Sequence, residues 1–130
     1  MTKRSLIIFV CAFLLNLLWE HLHSALYVSY RGTSITSGIL ARAALFDAIV
    51  ILLFSYPFFR FEFYAQRRWM LYGALVVFAV ILEAWALSTG RWIYTDAMPI
   101  IPLLHVGLTP TIQLGMLGYL SFKASDFLKG

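Results

Sequence analysis

Apolar positions along the chain gather into four runs, at roughly residues 6–27, 38–58, 69–87 and 101–122, and polar or charged residues collect between them. A helix that crosses the hydrocarbon core of a bilayer needs ~20 mainly apolar residues. The pattern therefore predicts four transmembrane helices. The first linker, SYRGTSITS, has the Ser, Thr and Gly content of a turn. The second, FFRFEFYAQRR, is charged and aromatic, and the third, STGRWIYTDAMPIIP, carries two prolines and a glycine.

Composition agrees with the pattern. Of 130 residues, 62% are hydrophobic and 12% charged, more apolar surface than a small soluble fold can bury. The expected architecture is all-α, a single domain over residues 1–130 that forms an integral membrane four-helix bundle. Membrane lipids are its expected surroundings, in the cytoplasmic membrane of a bacterial or archaeal cell. Cys11 stands alone, which rules out an intramolecular disulfide or a cysteine metal cluster.

The net charge of +4 comes from basic residues placed singly at the ends of apolar runs, not in a stripe, so nucleic acid is not an expected partner. Putting both termini in the cytoplasm places Lys3, Arg4, Arg60, Arg67, Arg68, Lys123 and Lys129 inside and Arg31, Arg42 and Arg91 outside, as the positive-inside rule asks. WEHLH stands where a signal-peptide cleavage site would need small residues, so the first run reads as a retained span.

Glu62, Asp96 and Asp126 fall in linkers or the tail, whereas Glu20, Asp47 and Glu83 fall inside the runs. A carboxyl at the centre of a lipid-facing helix costs on the order of 3 kcal/mol, so such groups turn inward, take a proton or find a partner. The assumed orientation sets all three in the outer half, with His105 entering helix four nearby and Arg42 a little over a turn above Asp47. Asn16, Glu20, His23 and Tyr27 recur at helical spacing along one face, and His105, Thr109 and Gln113 form a second polar stripe. Pro110 should free the carbonyl of Val106 and kink helix four. The competing reading makes these groups interhelical glue, Asn16 and Gln113 above all, and Arg42 with Asp47 a structural ion pair.

Two chemistries suit such a pocket. Glu20-His21-Leu22-His23 contains Glu-x-x-His, which bundle proteins use for iron or manganese in pairs of motifs. Only one copy occurs, so no dinuclear site is expected; Glu20, His23, Glu83 and His105 are the conceivable mononuclear set. The other chemistry is proton transfer, in which carboxyls in an apolar site divide acid and base roles. Glu83 and Glu20 are the acid and base candidates, with Asp47, His23 and His105 tuning them. Asn16, Tyr27, Arg91, Trp92, Tyr94 and Gln113 are candidate substrate contacts.

Residues 83–94 read E-A-W-A-L-S-T-G-R-W-I-Y: an acid, six residues, then Gly-x-Trp-x-Tyr, with Pro110 following near the start of another apolar span. This segment resembles the end of a repeat in the membrane-embedded lycopene cyclase family, whose relatives include carotenoid hydratases. The similarity covers helices three and four. The family's usual Asp maps to Glu83, and its Pro-x-Glu-Glu motif maps to Pro110-Thr111-Ile112-Gln113, which lacks the carboxylates. The resemblance implies a similar fold unit and an isoprenoid-like ligand. Apart from it, Gly90 reads as a helix end and Trp92 and Tyr94 as interface anchors.

The leading expectation is a small polytopic enzyme of cyclase, isomerase or hydratase type, acting by proton addition or removal on a polyisoprenoid or other apolar small molecule. A proton- or divalent-metal-handling membrane protein and a noncatalytic membrane subunit are the alternatives. The sequence names no cofactor. A homo-oligomer is expected, since four short helices enclose little volume.

Overall fold

The computed structural model describes residues 2–128. Four long helices and one short one account for most of them: α1 (Lys3–His23), α2 (Ser37–Arg60), the single turn α3 (Glu62–Ala65), α4 (Arg68–Ser88) and α5 (Leu108–Leu128). Two short strands, β1 (Tyr27–Tyr30) and β2 (Trp92–Tyr94), pair antiparallel across the two linkers at one end. The fold is all-α apart from this ribbon.

Local chemistry sets the helix starts. Thr2 and Thr36 accept from the backbone N–H groups of Ser5 and Ile39, at 3.1 and 3.3 Å, and so satisfy donors that the first turns of α1 and α2 leave open. α4 ends where Gly90 takes a positive φ of 73° and the Arg91 N–H folds back on the Ala86 carbonyl at 2.8 Å. An L side chain at that φ would be strained, which is why glycine closes the helix.

Three predicted boundaries fail. The first helix stops at His23, and the chain passes through a 3-10 turn (Ser24–Leu26) into β1, so Tyr27 is a strand residue and not the last member of a helical stripe. Pairing of Tyr27 with Tyr94 and of Tyr30 with Trp92 draws that segment away from α1. The fourth helix starts at Leu108, not near residue 101, and continues to Leu128, past the expected end at 122. Residues 101–106 close on themselves instead: the Ile101 N–H reaches the Val106 carbonyl at 2.9 Å and the His105 N–H reaches Ile101 at 3.1 Å. His105 sits there at a φ of 58°, exposed, and is not on helix four at all. Pro110 falls in the first turn of α5, where a missing N–H breaks no helical bond, so the expected kink has no cause.

The four long helices pack in the lateral order α2, α1, α5, α4, with α2 and α4 meeting only sparsely. Ile8, Ala12, Ile51, Leu71, Leu75 and Phe122 are almost fully buried between them. α5 is the most enclosed. Ideal Cβ atoms on its Gly115 and Gly118 would stand 2.8 Å from Val76 Cγ2 and 2.5 Å from Leu75 Cδ1, so bare glycines let α5 seat against α4. Three stretches, Lys3–Leu26, Ser37–Arg60 and Arg68–Ser88, are long and apolar enough to cross a membrane. α5 is not in that group. It carries Thr111, Gln113, Ser121 and Ser125 on buried positions and leaves Ile112, Met116, Tyr119 and Leu120 exposed.

At the end opposite the ribbon, Asp126 joins three helices. Its Oδ1 accepts from Arg4 Nη2 at 2.5 Å and its Oδ2 from Arg68 Nη1 at 2.6 Å, and both guanidinium groups lie over the Phe122 ring, 4.6 and 4.2 Å from its centroid. Asp126 is therefore a half-buried ion-pair hub and not a solvated tail residue, and Arg4 and Arg68 do more than mark topology. Lys3, Arg60, Arg67 and Lys123 belong to the same end; Lys129 lies outside the described residues.

Candidate functional site

The ribbon end of the molecule holds a cavity of about 380 Å³. Its floor is built from α1, α2, α4 and α5. Gln113, buried on the second turn of α5, directs its amide nitrogen at Asn16 Oδ1 (2.9 Å), Glu20 Oε1 (2.8 Å) and Asp47 Oδ2 (3.0 Å). An amide NH2 carries two hydrogens, so three acceptors crowd two donors. The shared amide nitrogen of Gln113 therefore brings the Glu20 and Asp47 carboxyl groups side by side. Asn16 completes the layer by donating to the Ala12 carbonyl at 2.7 Å.

Glu83 enters from α4. Its Oε1 accepts from Tyr27 Oη at 3.0 Å and from Tyr94 Oη at 2.5 Å, and Tyr94 Oη in turn accepts the Gly107 N–H at 2.9 Å. The two tyrosines arrive from facing strands, so the β1–β2 register decides that they share one carboxylate oxygen. Burial, reinforced by the neighbouring Glu83 carboxyl, pushes both phenols well above the ordinary tyrosine range. They stay neutral donors, and Oε1 of Glu83 is committed to accepting.

Arg42, Tyr30, Arg91 and Trp92 line the same cavity on its ribbon side, and Ala43, Phe46, Ala79, Leu82 and Leu114 supply apolar wall. The Arg91 guanidinium carbon lies 4.5 Å from the centre of the Trp85 ring, a cation–π seat. Phe46 and Trp85 are exposed on the side where α2 and α4 part.

Of the residues singled out from sequence, Glu20, Asp47, Glu83, Tyr27, Arg91, Trp92 and Gln113 line this one cavity, and Asn16 and Tyr94 touch its lining groups. The two histidines do not join them. His23 is buried but bonds through Nε2 to Thr109 Oγ1, beside a separate hollow bordered by Trp19, Leu22 and Leu26. His105 is exposed in the loop before α5. The mononuclear set of Glu20, His23, Glu83 and His105 is therefore not assembled, and among the described residues no group of three or more His, Cys, Asp or Glu is arranged to hold a metal ion. Nor is Arg42 ion-paired with Asp47 among the described residues. Arg42, Tyr30 and Trp85 were not singled out for the site. Trp85 and Tyr30 carry the signal expected of a mouth, aromatic residues next to the turns that flank the carboxyl-bearing spans.

Comparison of the chain with protein-family models, with curated proteins and with solved structures finds no match.

Proposed function

We propose that the chain is an integral membrane four-helix bundle, with both termini on the cytoplasmic side, that catalyses redox-neutral proton transfer on an unsaturated lipid of isoprenoid type. The observation that carries this reading is the meeting of Glu20, Asp47 and Glu83 around one cavity, with Gln113 holding the first two together.

The membrane part rests on the three long apolar helices and on what they leave outside. Leu14, Leu18 and Leu22 of α1 are 57, 59 and 75% exposed on one stripe, a face that suits lipid better than water. The orientation rests on the six basic residues at the Asp126 end against three at the ribbon end. α5 crosses with Thr111, Gln113, Ser121 and Ser125 buried and with Ile112, Met116 and Leu120 exposed.

The chemistry follows from hydrogen-bond roles. The acid and base roles expected from sequence are exchanged: the Glu20–Asp47 pair supplies a proton, which a carbon–carbon double bond takes up through its π electrons, leaving a cation on the neighbouring carbon. The free oxygen of Glu83 then removes a proton from the carbon beside the cation, and the electrons of that C–H bond form the new double bond. One proton enters and one leaves, and the proton on Glu83 returns to the pair through solvent at the cavity mouth. Tyr27 and Trp92, in ring contact at 4.6 Å, offer π faces to the cation. If water attacks the cation in place of proton loss, the same site hydrates.

To test it, membranes containing the expressed chain are incubated in deuterated water with polyisoprenoids extracted from a host grown in ordinary water without it. A product carrying one added deuterium, formed by the wild type and absent with Glu20→Gln and Glu83→Gln, is the expected outcome. No new product from the wild type, or the same product from both variants, overturns the enzyme reading.

A proton pathway is the second reading, favoured by the Gly107–Tyr94–Glu83–Tyr27 chain of hydrogen bonds. Deeper down, below Asn16, the described buried residues are Ala12, Ile8, Leu75 and Leu71 with the hydroxyls of Ser55, Ser121 and Ser125, and none of these is a carboxyl or an imidazole. A relay that stops halfway suits catalysis better than conduction.

A further inference from the structure

The cavity holds two cations that the carboxyl chemistry leaves unused. Arg42 and Arg91 both line it, and neither forms an ion pair among the described residues, although both described partners of Asp126 do. Arg91 is held over Trp85, and its Nε is buried with no hydrogen-bond partner. A buried guanidinium nitrogen without an acceptor is costly, and an acceptor supplied by a ligand removes that cost.

The cavity is layered. Arg42 stands five residues before Asp47 on α2, ~7.5 Å nearer the ribbon end at the rise of an α-helix. Arg91 and Trp92 follow the end of α4, beyond Glu83. A cationic, aromatic layer of Arg42, Arg91, Tyr30 and Trp92 thus overlies the carboxyl layer, and Phe46 and Leu82 wall the side where α2 and α4 part.

We infer that Arg42 and Arg91 bind the phosphate or diphosphate head of an amphiphilic substrate whose chain passes the carboxyl layer and leaves between α2 and α4. Two guanidinium groups offer paired N–H donors to several oxygens at once, which matches a phosphoryl group better than a carboxylate with two oxygens. The cavity of about 380 Å³ seats a head and the first carbons, and the sparse contact of α2 with α4 lets the rest lie in lipid. This rests on the acid–base reading only in naming its substrate class; the binding itself needs neither Glu20 nor Glu83.

The test uses the purified full chain in neutral detergent, with quenching of tryptophan fluorescence as the signal, because Trp85 and Trp92 line the site. The probes are a short prenyl diphosphate, the prenyl alcohol of the same chain length, and inorganic diphosphate. The prenyl diphosphate should bind, the other two ~tenfold or more weakly, and Arg42→Gln and Arg91→Gln should each weaken it by a similar factor. Equal binding of the alcohol overturns the anion site, equal binding of inorganic diphosphate overturns the lipid tail, and unchanged affinity in Arg42→Gln, whose exposed side chain leaves folding intact, overturns the assignment of the head group. Glu20→Gln and Glu83→Gln should retain binding. Binding without deuterated product sinks the acid–base reading alone; product without arginine-dependent binding sinks this one alone.

Discussion

At the scale of single residues, the site is organised by two neutral hubs and not by its charges. Gln113 gathers Asn16, Glu20 and Asp47, and the Tyr27–Tyr94 pair gathers on Glu83. The carboxyls were legible in the sequence, because an ionisable group inside an apolar run has few places to go. Gln113 was not: an amide in a helix reads equally as glue, and only the position of its neighbours on α1 and α2 makes it a hub. His105 misled for a related reason, since its four-residue spacing to Thr109 means something only if the helix starts early enough. The tyrosines give a pH-dependent prediction. Their phenols are raised in the folded protein above the ordinary ~10. The stability they contribute is therefore fully present below about pH 10 and is lost as pH climbs from the unfolded value toward the folded one. In an alkaline titration followed by phenolate absorbance, Tyr27 and Tyr94, of the seven tyrosines, should be among those that ionise only as the protein unfolds. Tyr27→Phe with Tyr94→Phe should shrink that late fraction by two tyrosines; if it is unchanged, the burial assigned to these two hydroxyls is wrong.

At the scale of elements, α5 differs in kind from the other long helices. Hydropathy already separates it, since α1, α2 and α4 are apolar enough to cross a membrane and α5 is not in that group, but hydropathy does not say what a helix packs against. What sets α5 apart is small residues at contact positions, Gly115 and Gly118 against α4 and Ser121 and Ser125 further down. A matched pair of substitutions isolates this. Gly115→Ala drives a methyl to 2.8 Å from Val76 Cγ2, whereas nothing lies within 4 Å of a Cβ on Gly73 of α4. The first should cost about 1–3 kcal/mol through overpacking, and the second should stabilise by about 0.5–1 kcal/mol through lower backbone entropy in the unfolded chain. Thermal unfolding in detergent measures both; a shift of the same sign for the two variants would refute the tight α4–α5 seat. The β1–β2 ribbon was missed altogether. Its strands are short and lie sixty-odd residues apart, Tyr27 against Tyr94, so no local pattern announces them.

At the scale of the whole molecule, one end is an ionic clasp and the other a polar cavity. The clasp ties the start of α1, the start of α4 and the end of α5 through Asp126, and the cavity fills the space where α2 and α4 diverge. The proposed orientation puts the clasp on the cytoplasmic side. With Cys11 replaced by Ser, a membrane-impermeant maleimide added to intact cells should label a cysteine at Ser34 and leave one at Arg67 unlabelled until the cells are opened. The reverse pattern would invert the topology, and labelling of both from outside would remove the membrane-spanning arrangement.

Hydropathy and the burial cost of charge are properties of local sequence, and they were enough to define the long helices within a few residues, apart from both ends of the fourth, and to mark Glu20, Asp47 and Glu83 as inward-facing. Which groups meet is not a local property. The pairing of the two linkers brings Tyr27 and Tyr94 to one oxygen of Glu83, the closed loop before α5 carries His105 away, and the splay of α2 from α4 leaves Arg42 and Arg91 facing a hollow. Those outcomes depend on contacts between segments far apart in the chain, whose energies exist only once the helices have packed.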